Sequence, residues 1–359
     1  MPSPSLSSRL PTVLAVGLSV ALAAALYASH LAAPRTLWTD VNHDRNGHYA
    51  FAAGLALAIR DLDIVRFGQD VINARIWPPL HGLLLAPVLV VFGPDYRLAG
   101  VVSAAAWAAT IFAAFALARR LLADAAAGLA AGGAAALFVA ASPDMRAFAV
   151  ESMLESLGAA LSIAVLLAYV RLRERPGDGA RWAQLGFVLT LLLFEKGNYW
   201  SLTIAALLLA AATIDPRGLR GGLRARLADP ALRAIAGRAV AHPLSIASAL
   251  VLVAVAALYL RGPTTIAIGG ASVSLHPPEN LLTVGYALAF ARLALLWHGE
   301  RAAIAAMLPG GARRLFAWHA MPLAVSFLVP KRLTGFLWFV SPANLPPGSD
   351  VGIVAGARI

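Results

Sequence analysis

The chain has 359 residues, a mean hydropathy of +0.74, 60% hydrophobic residues and only 13% charged ones. Soluble domains carry roughly a quarter charged residues, so this balance excludes an ordinary soluble globular protein and makes lipid the main solvent. The formal charge of +11 would suggest nucleic acid in a soluble protein, but only Lys196 and Lys331 of the 29 cations are lysines, and the arginines cluster in short gaps between apolar runs. That is the pattern of cytoplasmic loops, so nucleic acid is not expected as a partner and the lipid bilayer is. With no cysteine, disulfides have no part in stability or catalysis.

Uncharged runs at 11–34, 98–118, 125–143, 197–214 and 239–260 are each long enough to suggest a helix of about 20 residues through the hydrocarbon core. The first follows Arg9 and is too long for the apolar part of a signal peptide, so an uncleaved first helix is expected. Residues 34–97 then form a long segment, nearly neutral over 35–96 with five arginines against six aspartates. Within it Phe51, Leu55, Ala58/Ile59 and Leu62 recur at helical spacing, and 48–62 reads as an amphipathic interfacial helix. The stretch 76–94 opens Trp77-Pro78-Pro79 and has an apolar body of only 14 residues, 80–93. It reads as a re-entrant or interfacial element.

Charge fixes the order of crossings. Residues 171–181 carry Arg171, Arg173, Arg175 and Arg181 against Glu174 and Asp178, and 215–241 carry six arginines against Asp215 and Asp229. Both loops belong inside, so the chain between them crosses twice, through 182–194 and 197–214, with Glu195 and Lys196 in an outer turn. Counting back, 156–170 runs inward, 125–141 outward and 98–118 inward, which puts Arg119 and Arg120 inside and the segment 34–97 outside. Beyond 260 the signal weakens: 280–297 contains Arg292, and 315–330 is only 16 residues long.

Three polar sites fall on the outer face in this scheme. They are the run Asp40 to Tyr49, the group Asp144, Arg146, Glu151 and Glu155, and the turn Glu195 to Tyr199. Ionisable groups at membrane depth are costly and usually face a cavity or a partner, so their convergence suggests an outer polar cavity. Each has a plainer reading. Asp44 could cap the amphipathic helix. Glu151 and Glu155, four apart and on one helical face, could pair with Arg146. Lys196 could snorkel to headgroups. His43, Asp44 and His48 leave a divalent metal open without matching a known zinc spacing. Gly128 and Gly132 read as helix packing. No Walker loop, GxSxG or HExxH occurs.

An acid-bearing loop after the first helix, followed by an aromatic-Pro-Pro-Leu stretch ending in Phe92-Gly93, resembles the GT-C superfamily of polytopic glycosyltransferases. So do "YRLAGVVSAAAWAATIFAAFALARRL", "ASPDMRAFAVESMLESLGAAL" and "FEKGNYW". The likeness covers about 38–214 and leans toward the family-39-like branch, with protein O-mannosyltransferases and lipid A aminoarabinose transferases. It implies an all-α polytopic transmembrane bundle with a long outer loop carrying juxtamembrane helices. It also implies a polyprenyl-phosphate sugar donor used at the outer face of a bacterial inner membrane, with a glycolipid, polysaccharide or protein as acceptor. On this resemblance Asp44 matches the loop aspartate, and Glu155, or else Glu151, the second acidic position. Lys196 matches a basic residue near the donor phosphate. Asp44 is followed by Arg45 where family members often have Glu, which puts a metal role there in doubt.

The chemistry assigns roles on the same lines. Asp44 would deprotonate the acceptor, and Lys196 with Arg75 would stabilise the departing phosphate. His48, Tyr49, His81, Asn198 and Tyr199 are further cavity candidates. The expected organisation is an N-terminal membrane module, 1–260, with the outer loop 34–97. Further membrane helices follow over 261–359, of a C-terminal part expected to be incomplete. The competing class is a transporter or flippase for a lipid-linked or polar solute, though the chain lacks the repeated halves common there. A scaffold would leave the outer carboxylates without a role.

Overall fold

The computed structural model describes residues 6–32, 43–74, 78–214, 216–262, 265–268, 271–275, 278–307, 310–329 and 332–340. The described chain is almost entirely helical. In order come α1 (Leu6–Ala32), α2 (His43–Arg60), α3 (Ile64–Asn73), α4 (Leu80–Phe92), a single 3-10 turn (Tyr96–Leu98), α5 (Val101–Leu121), α6 (Ala125–Ala141), α7 (Pro143–Ala149), α8 (Glu155–Glu174), α9 (Gly179–Glu195) and α10 (Gly197–Ile214). Then follow α11 (Pro216–Ala228), α12 (Pro230–Val240), α13 (Pro243–Arg261), strands β1 (Thr265–Ile268) and β2 (Ala271–Ser274), α14 (Glu279–Met307), α15 (Gly310–Leu315), a π-helical turn (Phe316–Ala320), α16 (Met321–Ser326) and α17 (Arg332–Val340).

Among the described residues six helices are long and apolar enough to cross a membrane: those at Leu10–Ala32, Tyr96–Leu121, Glu155–Glu174, Gly197–Ile214, Pro243–Arg261 and Glu279–Met307. A seventh span is possible if α6 and α7, bent by 65° at Ser142, are counted as one. This is an integral membrane protein with an all-α polytopic architecture. Leucines and valines such as Val13, Leu14 and Leu18 of α1 are exposed, as lipid-facing positions are.

The chain divides by packing into two compact units, one formed by Met1–Pro176 with Phe187–Thr203 and the other by Gly177–Gly186 with Ile204–Ile359.

In the first unit α5 is the central post, packed by α1, α6 and α8. Glycine sets the closest approach: a Cβ at Gly132 would lie 2.9 Å from Phe115 O, and one at Gly128 would lie 2.7 Å from Arg119 O. The Gly128 and Gly132 pair therefore packs helices, as expected. Polar contacts give the helix directions. At one end Arg119 Nη1 donates to Thr12 Oγ1 at 3.3 Å, and the Arg120 guanidinium forks onto Glu174 at 2.5 and 2.6 Å. At the other end Tyr27 OH donates to Arg97 O, and Ser103 Oγ donates to Met153 O at 3.2 Å. So α1 runs antiparallel to α5, and α8 runs parallel to it, the order that the arginine-rich loops require.

The long segment between the first two spans folds differently in part from its expectation. The apolar face of the amphipathic helix α2 is covered in part by protein, while Ile59 and Leu62 stay exposed. Ala52, Leu55 and Ala56 form a buried cluster with Leu85, Ala86 and Leu89 of α4. Burial against α4 satisfies part of the apolar face that lipid was expected to cover. Helix α3 also has exposed apolar residues, with Ile64 and Val65 open just after Leu62, whose φ of 56° makes the turn. A helix of 13 residues such as α4 reaches about 20 Å, short of a hydrocarbon core of about 30 Å, so 80–92 is not a full span.

In the second unit α13 packs on α14, with Ser248 Oγ donating to Gly285 O at 2.8 Å. Arg292, which weakened the sequence signal for a span, is buried because its Nη2 donates to Arg238 O at 2.8 Å near the end of α12. A helix end has unpaired carbonyls and a partial negative charge, so a cation is stabilised there. The hairpin β1–β2, in the register Ile266↔Val273, was not expected from the sequence. The weak apolar run 315–330 is helical through the π turn and α16 and ends in a turn after Ser326.

Candidate functional site

The end of the first unit opposite the Arg120–Glu174 pair gathers side chains from α2, α4, α8 and the turn between α9 and α10. Glu155 opens α8, and its first-turn position suits a carboxylate facing helix N–H groups. Lys196 lies between α9 and α10, and its Nζ bonds to Glu155 Oε1. The ammonium also sits 4.8 Å from the ring centroid of Tyr199. That ring fits because residue 158, one turn along α8, is glycine: a Cβ there would lie 2.7 Å from Tyr199 Cδ2. Asn198 Oδ1 accepts the Tyr199 N–H at 2.9 Å and shapes the start of α10.

Behind this pair lies a buried polar line. His81, in the first turn of α4, has Nδ1 3.9 Å from Glu195 Oε1, and its Nε2 is 3.5 Å from Ser152 Oγ. His81, Ser152 and Glu195 are all fully buried, and neither Glu195 oxygen makes a well-formed hydrogen bond among the described residues. The His48 ring of α2 is 6.1 Å from the His81 ring. Burial lowers His81 to a pKa of about 3, with His48 adding to the shift. Burial also lowers His48 to about 4, against the opposing pull of the Asp44 and Glu155 carboxylates. Both imidazoles are neutral at pH 7, so the His81–Glu195 contact is polar and not an ion pair. Tyr49 is half-buried on the α2–α4 cluster, and burial raises its hydroxyl pKa.

The sequence candidates are thus partly brought together. Glu155, Lys196, Tyr199, His48 and His81 share one neighbourhood. Glu151 and Glu155 do not share a helical face, because Glu151 precedes α8 in a bend; it pairs with buried Arg45 at 3.5 Å. The expected partner Arg146 is replaced in both cases, by Arg45 for Glu151 and by Lys196 for Glu155. Asp44 is exposed in the first turn of α2, one turn from His48. Arg75 lies outside the described residues, as does Trp77. No cluster of three or more His, Cys, Asp or Glu able to hold a metal ion occurs among the described residues. Sequence reasoning missed Ser152 and the burial of Glu195.

Comparison with protein-family models, with curated proteins and with solved structures returned no match.

Proposed function

We propose that this protein is a membrane glycosyltransferase that moves a sugar from a polyprenyl-phosphate donor to an acceptor at the outer, periplasmic face of a bacterial inner membrane. The observation that carries the reading is the meeting of Glu155 and Lys196, 41 positions apart, at the membrane end away from the arginine-rich one. Both were nominated by the GT-C resemblance. Supporting it, the resemblance over 38–214 takes in both Glu155 and Lys196 and most of the first unit.

In this reading Lys196 is the phosphate-binding cation, held ready by Glu155 and the Tyr199 face, with Arg75 as a second cation. A lipid phosphate is already a weak base, so its departure needs charge stabilisation and no general acid, unlike glycoside hydrolysis. Asp44, exposed and close to the mouth of the buried line, deprotonates the acceptor hydroxyl. The bilayer holds the long donor in the plane where it reacts.

Donor binding tests the reading. The full chain in nanodiscs, titrated with a polyprenyl-phosphate sugar, should bind it, and Lys196→Ala should weaken binding about tenfold or more, as loss of a charged contact does. Equal binding by both proteins, or by neither, would refute the assignment of Lys196.

A further inference from the structure

The arginine-rich segment between α10 and α13 does two different things. In α12 the charges are engaged within the protein. Arg233 Nη2 donates to Ala228 O at 2.7 Å and closes the end of α11, and Arg238 Nη2 pairs with Glu300 Oε1 at 2.7 Å. Asp229 is used as the N-cap of α12, its Oδ1 accepting from Ala231 N at 2.8 Å. In α11 none of this happens. Arg217, Arg220, Arg224 and Arg226 are all exposed, and among the described residues none of their side chains makes a hydrogen bond or ion pair. There is no acidic residue in the helix.

The same helix has an apolar stripe. Leu219, Leu223 and Leu227 recur every four residues, which at about 100° per residue places them in one sector. Arg220 and Arg226 fall at about 60° on either side of the centre of that sector. Arg217 and Arg224 lie farther round on the polar side. Leu227 is 62% exposed, so the protein itself does not cover the end of the stripe. Covalent continuity sets the depth: α10 ends at Ile214 and α11 begins at Pro216, so α11 starts within two residues of the end of a membrane-spanning helix. An amphipathic helix tied to that level, with leucines on one face and cations flanking them, matches the boundary between acyl chains and headgroups.

We propose that α11 is an interfacial helix that binds anionic phospholipid headgroups, with its leucines in the acyl boundary and its four arginines on the phosphates. Each cation near an anionic surface strengthens attraction about fivefold, so four together amount to a difference of up to about 10³-fold between anionic and neutral membranes. The guanidinium is suited to this because it can take two phosphate oxygens at once.

The absence of native cysteine makes a depth measurement straightforward. Leu227→Cys in the full chain, carrying a nitroxide, is reconstituted in vesicles of phosphatidylcholine alone or with 30% phosphatidylglycerol. In the anionic vesicles the label should collide with oxygen more than with a water-soluble nickel reagent. In pure phosphatidylcholine, or with Arg217, Arg220, Arg224 and Arg226 all changed to Gln, the balance should move toward the nickel reagent. Because these side chains are exposed and make no pair among the described residues, the variant should keep the wild-type melting temperature, which checks its fold. A label equally open to water in every vesicle would overturn the proposal and leave α11 for a water-borne acidic partner. A label buried to the same depth with and without anionic lipid would overturn the headgroup assignment.

Discussion

The Lys196–Glu155 pair can be weighed from its surroundings. The side chains are 17% and 19% exposed, between a surface pair worth about 0–1 kcal/mol and a buried pair whose breaking costs about 3–5 kcal/mol. The two truncations should not cost the same. Lys196→Ala strands a carboxylate whose Oε2 already has no hydrogen-bond partner among the described residues, and should cost about 2–3 kcal/mol. Glu155→Ala leaves Lys196 with the Tyr199 face, worth about 0.5–1 kcal/mol, and a long stem that can reach water, so it should cost about 1–2 kcal/mol. With both gone the total should stay near that of Lys196→Ala alone, a coupling of about 1–2 kcal/mol. Reversible unfolding of the four proteins in mixed micelles measures it. Additive losses, with coupling under about 0.3 kcal/mol, would refute the claim that these residues hold each other.

Gly158→Ala should cost about 1–3 kcal/mol through the clash with Tyr199, and the penalty should shrink in the Tyr199→Ala background; an unchanged penalty there would show that the ring is not the obstacle. His48 and His81 titrate below the ordinary histidine value when folded, so the unfolded chain binds more protons in acid. Stability should be full above about pH 6.5 and fall by about 2–3 kcal/mol per histidine by pH 4.5, and less so in a His48→Gln, His81→Gln protein. A wild-type stability that is flat over that range would contradict the burial of these rings. Cysteines at 178 and 222 should be shielded from an impermeant thiol reagent in intact cells while one at 46 is labelled, and labelling of 178 from outside would reverse the orientation.

Much of the architecture was readable because lipid imposes it. A span must be long, apolar and internally hydrogen-bonded, so its length and the arginines at its ends show in one dimension. The antiparallel α1 and α5, the parallel α8 and the shortness of α4 all follow from that. What escaped were matters of partner choice. Arg292 looked like an interruption because its acceptor, the end of α12, lies 54 positions away. The face of α2 looked like a membrane surface because periodicity reports that a face is covered but not whether lipid or α4 covers it. Glu195 read as a wet turn residue beside Lys196, and only the approach of His81 and Ser152 encloses it. At the site, Glu155 with Lys196 came from the order of motifs. The different fates of Glu151 and Glu155 depended on where α8 begins, which periodicity leaves uncertain by a turn.

Turnover of the Asp44→Asn protein tests the central claim most directly. Asn keeps the size of the side chain and serves equally well near a helix N-terminus, but cannot take the acceptor proton. With purified full chain and a polyprenyl-phosphate sugar, donor binding should survive while transfer falls by about 10²–10⁴. Transfer at close to the wild-type rate would contradict the proposed mechanism and return Asp44 to the role of a helix-terminal charge.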